Sequence, residues 1–325
     1  MSILLTGGCG YIGSHCAVEL LNNTQDNIII LDDLSNSDSS ILDNIHTITN
    51  KKIQFYNCNI NNEYELNKIF QNNIINTVIH FAAFKAVKES VDDPLKYYSN
   101  NISGLITLLN VMKNHKVSNI IFSSSATVYG TPDVLPLTEA AKISPCNPYG
   151  RTKYFAEEIL KDVSHAYHMK VVCLRYFNPV GSHSSGLLRE NPKVPSNLFP
   201  CILEVINGKK DFLNIYGNDY DTSDGTAIRD YINVVDLPKG NLAAYNYLTN
   251  MDTNYNVFNL GTGKGYSVLE IVNMFSKILG REVPYKIQEK REGDAPEVYS
   301  DFIKANIYLQ WKAELTLTDM VKDSL

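Results

Sequence analysis

The sequence predicts an α/β protein, a doubly wound parallel sheet followed by a smaller α/β region. Two patterns carry that prediction. In the first half, short runs rich in Ile, Val and Phe alternate with stretches whose apolar residues recur at helical spacing. After Phe177 the alternation weakens, and Pro, Gly and Asn become frequent. Strands of a parallel sheet are covered on both faces, so unbroken apolar runs are their signature.

The strand candidates in order are "SILLT", "NIIIL", "KIQFY", "NTVIHFA", "NIIFSS" and "KVVCLRYF". Between them, "GSHCAVELLNN", "EYELNKIFQNN" and "GLITLLNVMKNHK" have the apolar spacing of helices. The stretch "NPVGSHSSGLLRENPKVPSN" reads as a long loop, followed by strand-like "NVFNLG" and helix-like "LEIVNMFSKIL". The expected division is a nucleotide-binding domain over residues 1–177 and a substrate-binding domain over 178–325. Segments near 228–250 are expected to pack back on the first domain.

Composition narrows the function. The 325 residues carry a formal charge of -6 and are 44% hydrophobic, which suits a globular protein and argues against general nucleic-acid binding. Six scattered cysteines with no C-x-x-C read as reduced thiols of a cytoplasmic protein. Seven histidines form no H-x-x-x-H pair, so no metal site is expected. The first residues, "MSILLTGG", enter a strand without a charged leader, and no apolar run is long enough to span a membrane.

"TGGCGYIGSH" lies between the first strand and the first helix. Gly7, Gly10 and Gly13 allow a tight turn and a close approach of backbone N–H groups to a pyrophosphate at the helix N-terminus. In this strand–turn–helix context the pattern is that of a Rossmann-type dinucleotide site. Asp32 ends the second strand about twenty residues on, where an acid accepts from a ribose diol and repels a 2′-phosphate. No Arg follows closely, so NAD is expected rather than NADP. Asn59 and Ile60 end the third strand, where an adenine could lie; a loop cap is the alternative for Asn59.

Tyr149 and Lys153, in "PYGRTKYFAEE", stand four apart and share a helix face. A free phenol titrates near about 10, and a neighbouring ammonium favours its ionised form. Such a phenolate takes a proton from a substrate hydroxyl as hydride departs. Ser125, in "FSSSATVYG", is placed to hydrogen-bond the same oxygen. Singly, each feature has an ordinary structural explanation. Together and in this order, each at the carboxyl end of a strand, they point to a dehydrogenase-type site.

These motifs resemble the extended short-chain dehydrogenase/reductase superfamily. Within it, "TGGCGYIGSH", "HFAAFKAVKESV", "YYSNNISG", "SSSATVYG", "NPYGRTK", "LRYFNPVGSH" and "GTAIRDYINVVDL" resemble the UDP-glucose 4-epimerases, from Ile3 to about Leu317. The resemblance implies reversible oxidation of a UDP-hexose at C4 with retained NAD, through a 4-keto intermediate that swings before reduction. It implies Tyr149 as base, Lys153 as the group lowering its pKa and holding the nicotinamide ribose, and Ser125 as a positioner of the 4-hydroxyl. By position, Tyr11, Ile12, Asp32, Asn36, Ser37, Asn59, Ile60, Phe81, Ala82, Lys85, Asn100 and Phe177 match the family's NAD contacts. Asn178, Asn197, Leu198, Asn214, Tyr216, Arg229, Arg291 and Asp294 match its UDP-sugar contacts. Arg229 and Arg291 suit a diphosphate clamp. From the residues alone, Arg229 is equally a surface ion-pair partner.

There are departures from the family pattern. Asn59 stands where Asp is usual, and Asp33 where Asn is commoner. The chain ends at Leu325, short of an aromatic tail that many members carry, with effects expected on stability or dimer contacts. Val298 occupies the place that bounds the sugar's C2 substituent, and a small side chain there implies acceptance of N-acetylated sugars. A one-residue register shift would put Tyr299 there instead. The resemblance also implies a homodimer through the helices containing "LLNVMKNHK" and "FAEEILKDVSHAY". Two alternatives compete. A nucleotide-sugar dehydratase needs an Asp–Glu pair after the serine strand, where this chain has Ala126 and Thr127. A non-catalytic NAD-binding module would be expected to lack the tyrosine or the lysine.

Overall fold

In the computed structural model, which describes residues 1–192, 194–291 and 293–325, all six early strand candidates form strands. They are β1 (Ser2–Thr6), β2 (Asn27–Asp32), β3 (Gln54–Asn57), β4 (Ile75–His80), β5 (Asn119–Ser125) and β6 (Lys170–Tyr176). The crossovers carry α1 (Tyr11–Asn23), α2 (Ser40–Thr49), α3 (Glu63–Asn72), α4 (Val87–Asp92), α5 (Pro94–Tyr98), α6 (Gly104–Asn114) and α7 (Pro148–Tyr167). A π-helical turn, Ser99–Ser103, joins α5 to α6. Beyond β6 lie β7 (Asn178–Val180), α8 (Leu198–Ile206), β8 (Leu213–Tyr216), β9 (Ile228–Asn233) and α9 (Asp236–Thr249). The chain ends with β10 (Tyr255–Leu260), β11 (Gly265–Ser267), α10 (Val268–Leu279), β12 (Tyr285–Gln288), β13 (Glu297–Val298), α11 (Ile303–Leu309) and α12 (Leu317–Ser324).

The main sheet is parallel, in the order β10-β6-β5-β4-β1-β2-β3. Its strand order reverses between β1 and β4, which opens a crevice at their carboxyl ends, the usual place for a ligand. Alternating residues feed two cores. Leu5 and Ile30 face α1, α9 and Trp311 on one side, while Leu4 and Ile29 face α3, α6 and α7 on the other. "NVFNLG", read in the sequence with the later region, instead returns to pair with β6 as the edge of this sheet. Its residue types suit a buried edge of either sheet, so local sequence did not distinguish the two.

The later region has its own core, in which Phe199, Ile202, Tyr231, Ile271 and Phe275 pack together. Here β9 pairs with β7 and β13 in parallel and with β11 antiparallel, and β8 pairs with β12. Local signals set the helix ends that matter. Pro148 opens α7, and the Asn147 side chain accepts from the Gly150 N–H at 2.8 Å. Ser267 and Glu270 cap α10 reciprocally, and Gly280 ends it in the left-handed region. Among the described residues no helix is long and apolar enough to cross a membrane. All six cysteines are free.

Candidate active site

The glycine turn is shaped by contacts that exclude a side chain. Gly7 has φ +70°, and a Cβ on it would fall 2.6 Å from the Ala82 nitrogen. A Cβ on Gly13 would strike the Gly7 carbonyl oxygen. Gly10 caps α1 and donates its N–H to Gly7 O at 3.1 Å. Asp32 closes the cradle: its carboxylate accepts from the Cys9 N–H (3.0 Å), the Leu34 N–H (3.0 Å) and the Ser37 hydroxyl (2.8 Å). This backbone-lined cradle fits a dinucleotide, with its phosphates at the start of α1 and its ribose at Asp32.

The other cofactor candidates lie on several segments. Asn36 is exposed in the loop after β2, Ile60 is buried after β3, and Phe81 and Ala82 follow β4. Ile12 packs on the first core. Asn100 lies in the π-helical turn and donates to Asn101 at 3.0 Å; π turns are frequent at functional sites. The departures at Asp33 and Asn59 prove to be one feature, because the Asn59 amide donates to the Asp33 carboxylate at 2.7 Å.

Ser125 ends β5, and Tyr149 and Lys153 occupy the first turns of α7. Lys153 is 4% exposed. Its ammonium donates to Ser123 O at 2.6 Å and lies 5.9 Å from the Tyr149 ring centre. Burial pulls Lys153 down to about 8, with the Glu157 carboxylate one turn further on opposing the fall. Burial lifts the Tyr149 phenol above its ordinary value, with the Ser125 hydroxyl opposing.

The substrate candidates come from distant segments. Asn178 begins β7, and Asn197 and Leu198 stand at the start of α8, while the cofactor candidate Phe177 is buried after β6. Asn214 and Tyr216 lie on the exposed face of β8. The Arg291 guanidinium stacks 4.0 Å from the centre of the Tyr216 ring. Arg229 is an ion-pair partner after all, but its partner is Asp294, another substrate candidate. Val298 packs against the apolar group that contains Phe177 and Ala126, whereas Tyr299 lies beside Gly265.

Comparison with known proteins places this geometry. The family model of GDP-mannose 4,6 dehydratase matches residues 4–324. A UDP-glucose 4-epimerase of Dictyostelium discoideum is 47% identical over 99% of this chain and 94% of its own length. One of Bacillus subtilis is 47% identical over 100% and 96%. The crystal structure of the Bifidobacterium longum UDP-glucose 4-epimerase with NAD+ and UDP superposes with a TM-score of 0.95 at 47% identity, covering 100% of this chain and 97% of that one. The chain belongs to the UDP-glucose 4-epimerase family.

In this member of the epimerase family, the sequence reading overlooked Glu190 and Glu157. Glu190 accepts from Lys85 at 2.8 Å and from Asn197 at 3.0 Å, joining a cofactor candidate to a substrate candidate. Its long loop offers no periodic signal. Tyr11 donates its phenol to Gly181 O at 2.6 Å and so ties the glycine turn to the later region. Glu157 forms a buried ion pair with Arg175 at 2.6 Å and accepts from Ser124. It does have a sequence signal, since it continues the Tyr149–Lys153 spacing by four more residues.

Proposed function

We propose that this protein interconverts UDP-galactose and UDP-glucose, with NAD retained through turnover. The observation that carries the proposal is Lys153 lying 5.9 Å from the Tyr149 ring and bound to the Ser123 carbonyl near the end of β5, a strand in the same sheet as the glycine cradle closed by Asp32. NAD, when bound, supplies the acceptor and donor of hydride at the sugar's C4. Tyr149 takes the proton from the C4 hydroxyl and gives it back to the same oxygen when the ketose, having turned, is reduced on its other face. Ser125 orients that oxygen, and Lys153 supplies positive charge next to the phenol. Arg229 and Arg291 hold the diphosphate, while the hexose, held more weakly, turns as a 4-ketose within the site. Ala126 and Thr127 provide no acid–base pair for dehydration, so the dehydratase description of the family model is not carried over.

Val298 leaves the space beside C2 open in this reading, so UDP-GlcNAc and UDP-GalNAc are substrates too. The protein works in the cytoplasm as a homodimer, and the division into a cofactor domain and a substrate domain belongs to the same reading. Support for the dimer comes from apolar side chains left on the surface of α4 to α7, including Val91, Leu95, Ile106 and Phe155.

The test is to incubate the purified protein, without added cofactor, with UDP-galactose and then with UDP-GlcNAc, and to follow products by NMR. Conversion of both substrates is expected. Val298→Tyr is expected to abolish conversion of the N-acetyl sugar and spare UDP-galactose. No conversion of UDP-galactose, even with NAD added, would refute the epimerase reading.

A further inference from the structure

The start of α8 carries an asparagine in the capping position that does not cap. Asn197 is the N-cap of this helix, with φ -80° and ψ 155°, yet its side chain takes no bond from the helix. Asparagine is favoured there because its side-chain oxygen accepts from the N–H two or three residues on. In α8 the third position is Pro200, which has no N–H, and the Cys201 N–H already reaches the Asn197 carbonyl at 3.1 Å. Two donors remain at the helix end, the N–H groups of Leu198 and Phe199. Neither has a partner among the described residues. Of the two, Phe199 is the one from which an asparagine cap accepts.

The Asn197 amide is turned elsewhere. It donates to Glu190 Oε1 at 3.0 Å, and Lys85 donates to the same oxygen at 2.8 Å. The Glu190 side chain is 10% exposed. The loop before it holds it in place. Ser182 and Arg189 form an antiparallel bridge, and the His183 N–H donates to Leu188 O at 2.9 Å. Leu188 is buried, and Asn44 donates to Leu187 O at 3.1 Å. A fixed carboxylate and a helix end thus compete for one side chain. A capping oxygen would occupy the N–H that an anionic ligand group uses at a helix N-terminus. We propose that Glu190 is a positioning residue for substrate binding: it holds the Asn197 side chain off α8 and so leaves the Leu198 and Phe199 N–H groups open to the diphosphate of the UDP-sugar. The inference rests on the epimerase reading above, in which Asn197 and Leu198 contact the UDP-sugar. The diverted amide loses no hydrogen bond, because one to a charged carboxylate replaces the cap.

Glu190→Ala frees Asn197 to swing onto Phe199. With UDP titrated into NAD-loaded wild-type and variant protein, Kd is expected to rise about fivefold, the scale of one N-cap bond that the ligand must displace. KM for UDP-galactose rises in parallel, and kcat stays within about twofold. Glu190→Gln keeps an acceptor for the Asn197 amide and is expected to hold Kd within about twofold of wild type. Asn197→Gly has no side chain to swing, and glycine is tolerated at an N-cap. Adding Glu190→Ala to it should leave Kd where Asn197→Gly alone puts it. An unchanged Kd in Glu190→Ala overturns the proposal. So does a further fivefold loss in the double variant, which would show that Glu190 acts without Asn197. A Glu190→Gln variant as weak as Glu190→Ala would make the charge, and not the diverted amide, responsible, and overturns it equally. Wild-type protein that binds no UDP would overturn the epimerase reading together with this one.

Discussion

The two sides of the cleft satisfy their charged groups in different ways. On the cofactor side, two of the three donors to Asp32 are backbone N–H groups, one of them on the glycine turn 23 residues away. On the substrate side, Arg229 is neutralised by the carboxylate of Asp294, 65 residues away in sequence. A backbone donor is fixed by the fold, and the groups around it need no rearrangement before a ligand enters. A side-chain ion pair near the surface contributes little and can be exchanged. One side is thus built for a molecule that stays and the other for molecules that come and go.

Substitutions on the two sides should therefore fail differently. Gly7→Ala places a Cβ against the backbone of Ala82, where neither partner can yield. We expect that variant to lose its NAD during gel filtration, and its turnover with it, because hydride at C4 then has no acceptor. Its Kd for UDP should stay within about threefold, because no substrate contact is touched. A variant that lost UDP binding equally would erase the distinction between the two sides. Arg229→Ala is the converse: UDP affinity falls about a hundredfold, as charge-assisted bonds to the diphosphate are lost, and the NAD content measured after denaturation matches wild type.

The smallest effect sharpens the comparison at the catalytic pair. Lys153 is held near about 8 by burial, with Glu157 supporting its charged form. Activity that needs the ammonium is therefore lost as pH rises through that value. In Glu157→Gln the support disappears, and the alkaline limb of the rate profile moves to lower pH by less than about one unit. Arg175 loses its buried partner in the same variant, at a cost of about 3 kcal/mol measured by urea unfolding. An unmoved alkaline limb would mean that another group sets it.

How much was legible follows from the same contrast. The glycine turn, Asp32 and the Tyr149–Lys153 spacing are short-range patterns, fixed by the geometry of one turn or one helix face. They could be read directly. Asp33 and Asn59 read as separate departures because nothing local reveals that two side chains 26 residues apart share a hydrogen bond. Glu190 remained invisible for a related reason. Its significance lies in what surrounds it, and those neighbours, Lys85 and Asn197, come from loops whose paths are set by tertiary packing. The placement of β10 belongs here too, since a buried parallel strand looks the same whichever sheet it joins.

That placement has a consequence for how the molecule is made. After β6 emerges from the ribosome, its outer edge stays unpaired until β10 follows, roughly 80 residues or on the order of 4–16 s later at ordinary synthesis rates. For that interval the nascent chain carries an apolar strand with free backbone groups, the kind of edge that recruits strands from other chains. A fragment ending at Phe177 would keep that edge permanently. Truncation at the apparent seam between the two halves should therefore give insoluble protein, whereas breaks placed in an exposed loop such as the one around Gly186 leave every strand of the main sheet with its neighbours.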